Sequence, residues 1–504
     1  MKQHQAYRTN HRWHLYFLTT ALLFAIGSGF AYAGEVISNI QVIDLGTLPG
    51  GTHSTASDIN DDGEIVGTSE MMSGYEHAFI RKNGVMIDIG TLGGDRSEAN
   101  GINDFGQVVG DSRNSSGDSH GFEWENNVIR DLGGYPPEDP TNSSAKAINN
   151  SGLMAGYVES AFSTRGVIWN LLGVPNFNPF PPFINLNQGP GPFVWTSVRD
   201  INDVGQATGD SFSQQCFLWQ GGVLVPLTFS SGIGFDVANG INNSGQVVGY
   251  GKYYTSTAAL GERAVLWPDP STAIPLPSLG GENSHAFDIN EDALVVGDSE
   301  TSTNETVAFV WRSDLGMLSL GTLGGANSKA LGVNATGQVV GESETSTGEV
   351  HATLWTITIA TEVSIDIKPG SDPNCVNIND HGVIPVAILG AEDFDVTQVN
   401  LASLSLSGLE VRVRGKGPLC SVGYSNDDSY PDLICHFEDI SAKWTSGGSE
   451  ATLNGELFDG TPITGSDTIC VVPKHATSAE ALGPPFIFLQ MTSFGGSLSY
   501  TRRL

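Results

Sequence analysis

Residues 102–110 read Ile-Asn-Asp-Phe-Gly-Gln-Val-Val-Gly, and this stretch is one of seven copies of a pattern that decides the fold. The copies end at Gly67, Gly110, Gly156, Gly209, Gly249, Gly297 and Gly341. Their spacing of 40 to 53 residues is typical of one small antiparallel sheet with its turns. Because such a sheet cannot bury its own apolar face, it must stack on copies of itself.

Each copy belongs to a unit that predicts four strands. The Ile-Asn-x-x-Gly segment predicts a strand end and a tight turn, and Val-Val-Gly predicts the returning strand. A third strand ends on Trp in six units, at Trp124, Trp169, Trp219, Trp267, Trp311 and Trp355, and on Arg81 in the first unit. The fourth strand carries Asp-Leu-Gly-Thr-Leu-Gly-Gly or a remnant of it, at residues 88–94, 131–134 and 320–325, and more weakly at 183–187 and 225–227.

A surplus copy of this fourth strand, residues 44–51, precedes the first unit, and none follows the seventh. We therefore predict an all-β fold, a seven-bladed β-propeller over residues 42–360. Its N-terminal strand would complete the last blade beside the strand that ends at Trp355. The alternative is an open β-solenoid, whose coils are usually shorter than this period and which would need capping units.

Three motifs carry a resemblance to a known family. His-Ala-Phe at residues 77–79, with variants at 120–122 and 351–353, recurs with Asp-Leu-Gly-Thr-Leu-Gly-Gly and Ile-Asn-x-x-Gly-Gln-Val-Val-Gly in a fixed order. Over about residues 42–360 the chain resembles the HAF-repeat family of bacterial exported proteins. The resemblance implies secretion and a repeat architecture, and it brings no established activity with it.

The start of the chain predicts export. Residues 1–33 have a basic beginning, an apolar stretch and small residues near the end, which is typical of a signal peptide. The net charge of −32 becomes −35 when this segment is removed, since it holds three basic and no acidic residues. Such a surface makes nucleic acid and anionic membranes poor partners. With no second long apolar run, we expect no membrane span and a secreted protein, extracellular or periplasmic.

The composition changes near residue 361. Residues 361–474 predict a small β-sandwich-like module that resembles one recurring at the ends of bacterial exported proteins, and residues 475–504 form a tail with one added strand at 484–489. Four cysteines fall in this part, Cys375, Cys420, Cys435 and Cys470, so two disulfides with three alternative pairings are expected. Cys216 stands alone at a position that other units fill with Ala or Gly, which predicts a small buried residue.

Recognition residues are sought where the repeat is broken, because repeated positions are structural by default. The longest interval is rich in Pro and aromatic residues, which favours a recognition loop; the alternative is a loop folded over its own blade. Its candidate binding residues are Phe177, Phe180, Phe183, Phe193 and Trp195. Glu123 also breaks the repeat by replacing an aliphatic residue, and a position at the blade edge that reaches water is the expected explanation, with a buried acid as the alternative.

One segment of the C-terminal module has the spacing of a calcium loop. Asn426, Asp428 and Asp432 would supply oxygen ligands, although Tyr424 and Ser429 depart from the pattern, so an Asx-rich turn is the preferred interpretation. No cofactor other than calcium is suggested by the sequence. The strand-end Trp residues are expected to fill gaps between blades, and the repeated Asp44, Asp88 and Asp131 to bond turn backbone.

Three functions stay open at this stage. We find none of the familiar catalytic motifs, so we assign no catalytic residue and expect a non-enzymatic interaction protein that presents a propeller face to an extracellular protein or glycan. The alternative is a carbohydrate-binding propeller that uses the loop from Phe177 to Trp195. A polysaccharide hydrolase or lyase is the third, and fold analogy is its only support.

Overall fold

The computed structural model describes residues 34–133, 142–160, 163–170, 183–186, 196–211, 216–228, 236–254, 259–377, 382–439 and 447–472. These residues form an all-β structure, as predicted, with one short 3₁₀ turn at Val396–Gln398. Among them there is no helix with the length and apolarity that crossing a membrane requires. The predicted signal peptide and the predicted tail strand at 484–489 lie outside the described residues.

The chain divides into two compact units. The first comprises Gly34–Thr361 with Thr461–Thr464, and the second comprises Glu362–Gly460 and the residues from Gly465 onward. The first unit contains seven sheets, here numbered 1 to 7 in chain order, and six of them are four-stranded antiparallel sheets whose strands follow the chain order.

The strands of the first three sheets follow an N-terminal strand β1 (Gly34–Gly46). Sheet 1 is β2 (Ser54–Ile59), β3 (Ile65–Glu70), β4 (Glu76–Lys82) and β5 (Val85–Gly90). Sheet 2 is β6 (Gly93–Ile102), β7 (Val108–Asn114), β8 (Ser119–Glu125) and β9 (Val128–Gly133). Sheet 3 is β10 (Asn142–Ile148), β11 (Leu153–Ser160), β12 (Ser163–Asn170) and β13 (Phe183–Asn185).

The next three sheets repeat this order. Sheet 4 is β14 (Thr196–Ile201), β15 (Ala207–Ser211), β16 (Cys216–Gln220) and β17 (Val223–Pro226). Sheet 5 is β18 (Asp236–Ile241), β19 (Val247–Tyr254), β20 (Ala259–Asp269) and β21 (Thr272–Pro275). Sheet 6 is β22 (Gly280–Ile289), β23 (Val295–Thr301), β24 (Thr306–Arg312) and β25 (Gly316–Ser319).

Sheet 7 takes its strands from both ends of the unit. It contains β26 (Gly324–Val333), β27 (Gln338–Thr345) and β28 (Val350–Glu362), and β1 pairs with β28. The side-chain contacts there match those inside the other sheets. Nδ1 of His351 lies 3.0 Å from the carboxylate of Asp44, and the same two groups lie 3.0 Å apart in His77 and Asp88.

The glycine of each Val-Val-Gly segment allows the first two strands to lie close together. A Cβ at Gly67 would lie 2.0 Å from the carbonyl oxygen of Thr55, and one at Gly110 would lie 1.9 Å from that of Glu98. Any other residue at this position would force the strands apart. The glycine of the turn has a different role, since Gly63 has a φ of +74° and donates its N–H to Asn60.

The apolar core lies between adjacent sheets. Trp169 of sheet 3 packs with Val109 of sheet 2, and Trp355 of sheet 7 packs with Val296 and Leu320 from the sheet 6 region. Five of the six strand-end Trp residues are buried and Trp219 is partly exposed, so the prediction that they fill gaps between neighbouring units is confirmed. Cys216 is also buried in this core, and it is a free cysteine among the described residues.

A cycle of seven asparagines joins the first strands at their turn ends. Each Nδ2 donates to the backbone carbonyl of the equivalent asparagine in the next sheet, at 2.8 to 3.1 Å, and the seventh donates back to the first. The members are Asn60, Asn103, Asn149, Asn202, Asn242, Asn290 and Asn334, all of them buried. These hydrogen bonds therefore join the first strand of each sheet to that of the next.

The second unit contains two larger sheets and a small hairpin. One sheet has the order β29 (Ile365–Ile367), β31 (Val383–Ile388), β37 (Asp432–Glu438) and β36 (Cys420–Gly423). The other contains β30 (Cys375–Asn377), β39 (Pro462–Val472), β38 (Gly447–Glu456), β32 (Ser405–Leu406) and β33 (Leu409–Glu410), and the hairpin pairs β34 (Val413–Arg414) with β35 (Gly417–Pro418). Disulfides join Cys375 to Cys470 and Cys420 to Cys435, which is one of the three pairings that the sequence allowed.

Candidate functional site

Three carboxylates lie two positions before an asparagine of the cycle along the chain. Asp58, Asp200 and Asp288 each accept two backbone N–H bonds, one from the next residue and one from the following sheet, as Asp58 does from Ile59 and Ile102. Burial raises the pKa of Asp200 to about 7 and that of Asp288 to about 6. Burial, and then the charge of Asp288, raise the pKa of Asp58 well above its ordinary value.

The side chains that differ most between sheets lie a little further along the same strands, away from the asparagine cycle. They occupy the positions on either side of the buried small residue of the first strand, and the position after the Val-Val-Gly glycine of the second. We call the following set the inner cluster: Asp111, Lys146, Tyr157, Arg199, Asp210, Tyr250, His285, Phe287, Asp298 and Lys329. All of its members except Asp298 are partly exposed.

In sheets 2 to 4 the inner cluster pairs cations with carboxylates beside an aromatic ring. Nζ of Lys146 lies 3.6 Å from Asp111 and 6.0 Å from the centre of the Tyr157 ring. Nε of Arg199 donates to Asp210 at 2.5 Å. Burial raises the pKa of Tyr157, the charges of Asp111 and Glu159 add to this shift, and the charge of Arg199 opposes it.

In sheets 5 and 6 the cluster is centred on His285. Its Nδ1 lies 2.6 Å from Asp298 and its Nε2 lies 3.0 Å from Glu262, and the edge of its ring meets Tyr250 with ring centres 4.6 Å apart. Burial alone would lower the pKa of His285, but the hydrogen bonds and charges of Asp298 and Glu262 outweigh it, so the pKa is raised. Both ring nitrogens therefore already have a carboxylate partner.

Lys329 connects the cluster to sheet 7. Its ammonium lies 4.3 Å from the centre of the Phe287 ring and 4.0 Å from Asp298. An ammonium over one face of the ring is favourable and fixes the orientation of both side chains. The cluster thus presents aromatic rings whose positions are set by charged neighbours, which are themselves paired.

Sequence reasoning did not find this cluster. The inner cluster does lie where the repeat is broken, but the sequence directed attention to two other breaks, Glu123 and the longest interval. The signal was available in a column comparison: the position after the Val-Val-Gly glycine holds Thr68, Asp111, Tyr157, Asp210, Tyr250, Asp298 and Glu342. The two columns beside the buried small residue of the first strand vary even more, with His285 and Lys329 in one and Lys146, Arg199 and Phe287 in the other.

The expected surface position of Glu123 is wrong. Its side chain is 3% exposed and its Oε2 accepts a hydrogen bond from Nη1 of Arg130 at 2.7 Å. The two residues are cross-strand partners in β8 and β9, so a long cation from the outer strand reaches the buried carboxylate. Burial raises the pKa of Glu123, and Arg130 opposes this. The alternative of a buried acid is correct, and the acid is paired.

The predicted aromatic loop is not part of the described structure. Phe177, Phe180, Phe193 and Trp195 lie outside the described residues. Of Phe183 only the backbone is described, and it begins β13, opposite Trp169. The recognition role of this loop stays a prediction.

The residues proposed for calcium form a hydrogen-bonded turn. Nδ2 of Asn426 donates to Asp428 at 2.7 Å, and the fully buried carboxylate of Asp432 accepts bonds from the backbone of Ser425 and of Gly390. No cluster of His, Cys, Asp or Glu suited to a metal ion occurs within the described ranges. Calcium binding stays a prediction, and the observed contacts are those of an Asx-rich turn.

The repeated aspartates bond turn backbone, as predicted, and they also pair with histidines. The N–H of Gly90 donates to Asp88 at 2.7 Å, and that of Gly46 to Asp44 at 2.8 Å. His120 repeats the pairing with Asp131 at 2.9 Å. In sheets 1, 2 and 7 these histidines therefore fix the outermost strand to the strand beside it.

Repeated four-stranded antiparallel sheets with apolar cores between neighbouring sheets are consistent with a propeller-like class of protein. No protein-family model matches this chain, and no curated protein does, so the resemblance to the HAF-repeat family stays a prediction. Among solved structures, TolB from Acinetobacter baumannii is similar over 51% of each chain, at 10% identity and a TM-score of 0.27.

Two further similar structures come from B. thetaiotaomicron. The extracellular domain of a hybrid two-component system is similar over 83% of this chain and 56% of that one, at 12% identity and a TM-score of 0.36. The extracellular domain of a one-component system covers 81% and 73%, at 10% identity and a TM-score of 0.13. This chain thus spans little more than half of the length of the first two structures. These three TM-scores are too low to assign a fold or a function to this chain.

Proposed function

We propose that this chain is an exported, non-enzymatic binding protein in which seven sheets form the blades of a closed β-propeller and the inner cluster is the ligand site. The observation that carries the proposal is the inner cluster itself. Rings, cations and carboxylates occupy equivalent strand positions in six successive sheets and form contacts within and between several of them, on an otherwise repetitive scaffold. Binding sites are concave, aromatic-lined and equipped with a few fixed polar groups, and the cluster has this composition.

Closure of the ring is supported by the contacts that join its two ends. Asn334 donates to the carbonyl of Asn60 as each other asparagine does to its neighbour. The N–H of Ala352 donates to Ser54 at 2.8 Å, and the N–H of Ala78 donates to Ser97 at 2.9 Å in the equivalent position of the next junction. The seventh sheet thus meets the first through the same contacts that join sheets 1 and 2.

Binding rather than catalysis is supported by the state of the titratable groups. A general base needs a ring nitrogen or carboxylate that faces the reacting atom. In His285 each ring nitrogen already lies within hydrogen-bond distance of a carboxylate. The cations of the cluster lie beside Asp111, Asp210 and Asp298. Such groups are arranged to hold a ligand in place.

The test uses variants of the full exported chain against extracellular polymers and proteins from the producing culture. Tyr250→Ala removes a half-buried ring of the cluster, and Phe105→Ala removes a side chain that is 73% exposed at the turn of sheet 2. The proposal expects a ligand whose affinity falls at least tenfold in Tyr250→Ala and stays unchanged in Phe105→Ala. A ligand bound equally well by Tyr250→Ala and by a Phe287→Ala variant would refute the assignment of the site.

A further inference from the structure

The chemistry of the inner cluster narrows its ligand to one class. We propose that the cluster binds a neutral oligosaccharide, lying across sheets 3 to 6 with its sugar rings on Tyr157, Tyr250 and Phe287. This inference rests on the proposed function and goes further by naming the ligand. The carbohydrate hypothesis from the sequence placed such a site on the loop from Phe177 to Trp195, and the inner cluster is a different place.

The aromatic residues supply stacking surfaces at intervals. Tyr157, Tyr250 and Phe287 belong to sheets 3, 5 and 6, and each is partly exposed. Lys146 and Lys329 lie over one face of Tyr157 and of Phe287, so a sugar would stack on the opposite face of these two rings. The apolar C–H face of a pyranose ring is matched by the face of an aromatic side chain, which is large, rigid and loses little entropy on binding. Three such surfaces on three sheets suit an extended chain of several sugars more than a single one.

The charged pairs supply donors and acceptors of the kind that hydroxyl groups need. A sugar hydroxyl both donates and accepts. It can accept from the guanidinium of Arg199 while it donates to Asp210, and the Lys146–Asp111 pair offers the same combination. Because these pairs already orient each other, little side-chain freedom is lost when the ligand binds.

The pairing of the charges also decides against charged ligands. An acidic polymer would compete with carboxylates for Lys146, Arg199 and Lys329, and a protein of net charge −32 repels it at long range. A basic ligand would compete with those same cations for Asp210 and Asp298. A neutral polyol needs neither displacement, so it is the ligand that leaves the observed pairs in place.

The experiment is calorimetric titration of the full chain with three sets of oligosaccharides. Cellohexaose, mannohexaose and galactohexaose are the neutral probes, oligogalacturonate is the acidic probe and a chitosan hexamer is the basic one. We expect at least one neutral probe to bind. Tyr250→Ala and Phe287→Ala should each weaken this binding at least tenfold, and Tyr250→Phe, which keeps the ring, should lie within about threefold of the wild type.

Tyr75→Ala is the matched control, since Tyr75 is a 52% exposed aromatic residue of sheet 1 outside the cluster, and it should leave the affinity unchanged. Thermal unfolding verifies that each variant is folded. Binding of the acidic or basic probe alone, or of none of the probes, overturns the neutral-sugar inference. If the neutral-sugar inference fails but the wild type binds another ligand that Tyr250→Ala does not bind, the proposed function stands. A neutral probe that binds equally to wild type, Tyr250→Ala and Phe287→Ala would overturn the site as well.

Discussion

At the scale of single residues, the buried carboxylates near the centre make stability depend on pH. An acid whose pKa is raised by folding contributes stability below its unfolded value, and that contribution is lost as the pH rises through the folded pKa. For Asp200 the window runs from 3.8 to about 7. In sheet 3, Ala147 occupies the position equivalent to Asp200. Asp200→Ala is therefore a substitution that the fold accommodates elsewhere.

We predict that Asp200→Ala gains stability relative to the wild type when the pH is raised from 5 to 8. The expected relative gain is on the order of 1–3 kcal/mol, since one pKa unit corresponds to about 1.4 kcal/mol. The variant also loses two backbone hydrogen bonds, so the sign of its effect at a single pH is less informative than the change. Urea unfolding at both pH values measures it. Asp62→Ala, at an exposed turn position, is the control with no such change, and parallel curves for Asp200→Ala would contradict the prediction.

Glu123 and Arg130 form an ion pair in which the carboxylate is buried and the guanidinium is partly exposed. Removing Arg130 leaves a buried carboxylate without its partner, whereas Glu123→Leu restores the aliphatic residue of the sister units. We predict that Arg130→Ala lowers the free energy of unfolding by about 1–3 kcal/mol, and that Glu123→Leu changes it by less than about 1 kcal/mol in either direction. In the Glu123→Leu background, Arg130→Ala should cost little. If urea unfolding shows the same cost of Arg130→Ala in both backgrounds, the loss of the pair with Glu123 does not explain the destabilisation by Arg130→Ala.

At the scale of strands, one junction departs from the contact that joins the sheets elsewhere. A buried Ser or Thr at the start of the first strand accepts the N–H of the preceding sheet's third strand, as Ser97 does from Ala78. Sheet 5 has Asp236 there instead, and its Oδ1 is buried without a hydrogen-bond partner among the described residues. Burial raises the pKa of Asp236 to about 6.

We predict that Asp236→Ser stabilises the protein at pH 8 and not at pH 4. Folding raises the pKa of the Asp236 carboxyl from its ordinary value of 3.8 to about 6. Its neutral form is therefore tolerated at low pH, and its charged form destabilises the fold above about pH 6. The gain at pH 8 should be about 1 kcal/mol, because Asp236 is only partly buried and solvent screens it. Thermal unfolding at the two pH values measures the gain. Ser97→Asp is the reverse experiment and should lower stability at pH 8.

The strands could be predicted from the sequence because the repeat constrains them. The repeated turn, which reads Ile-Asn-x-x-Gly in five sheets and varies at Ala293 and Val333 in the other two, follows from backbone rules that act locally. The glycine beside Thr55 and the buried Trp residues follow from local packing rules. The inner cluster and the environment of Glu123 could not be predicted in that way. Whether a side chain at Tyr250 or Glu123 meets water or another sheet depends on which strand lies across from it, and Arg130 reaches Glu123 only because β9 pairs with β8.

At the scale of the whole molecule, the two disulfides of the second unit close loops of different length. Cys420 and Cys435 are 15 residues apart, and Cys375 and Cys470 are 95 apart. On the chain-entropy model the shorter loop contributes about 3 kcal/mol and the longer one about 4.7 kcal/mol. We predict that replacing Cys375 and Cys470 by Ala destabilises this unit more than replacing Cys420 and Cys435, by about 1–2 kcal/mol. Hydrogen exchange across Glu362–Gly460 measures both effects, and the opposite order would contradict the entropic account.

The proposed closure of the ring can be tested by comparing two asparagines. Asn149 donates to Asn202 at 2.8 Å, a neighbour along the chain, whereas Asn334 donates at 3.0 Å to Asn60, which is 274 residues earlier. Both also hold their own turns by accepting backbone N–H bonds. In a closed ring, Asn334→Ala and Asn149→Ala remove equivalent donors from the buried carbonyls of Asn60 and Asn202, which keep only the N–H of the turn glycine. Each substitution should therefore cost about 1–3 kcal/mol in urea unfolding. In an open array Asn334 would lie at a solvated end and Asn334→Ala would cost only its turn bonds. A cost for Asn334→Ala less than half of that for Asn149→Ala would therefore refute closure, and Thr336→Ala, which changes the same turn without touching Asn60, controls for local effects.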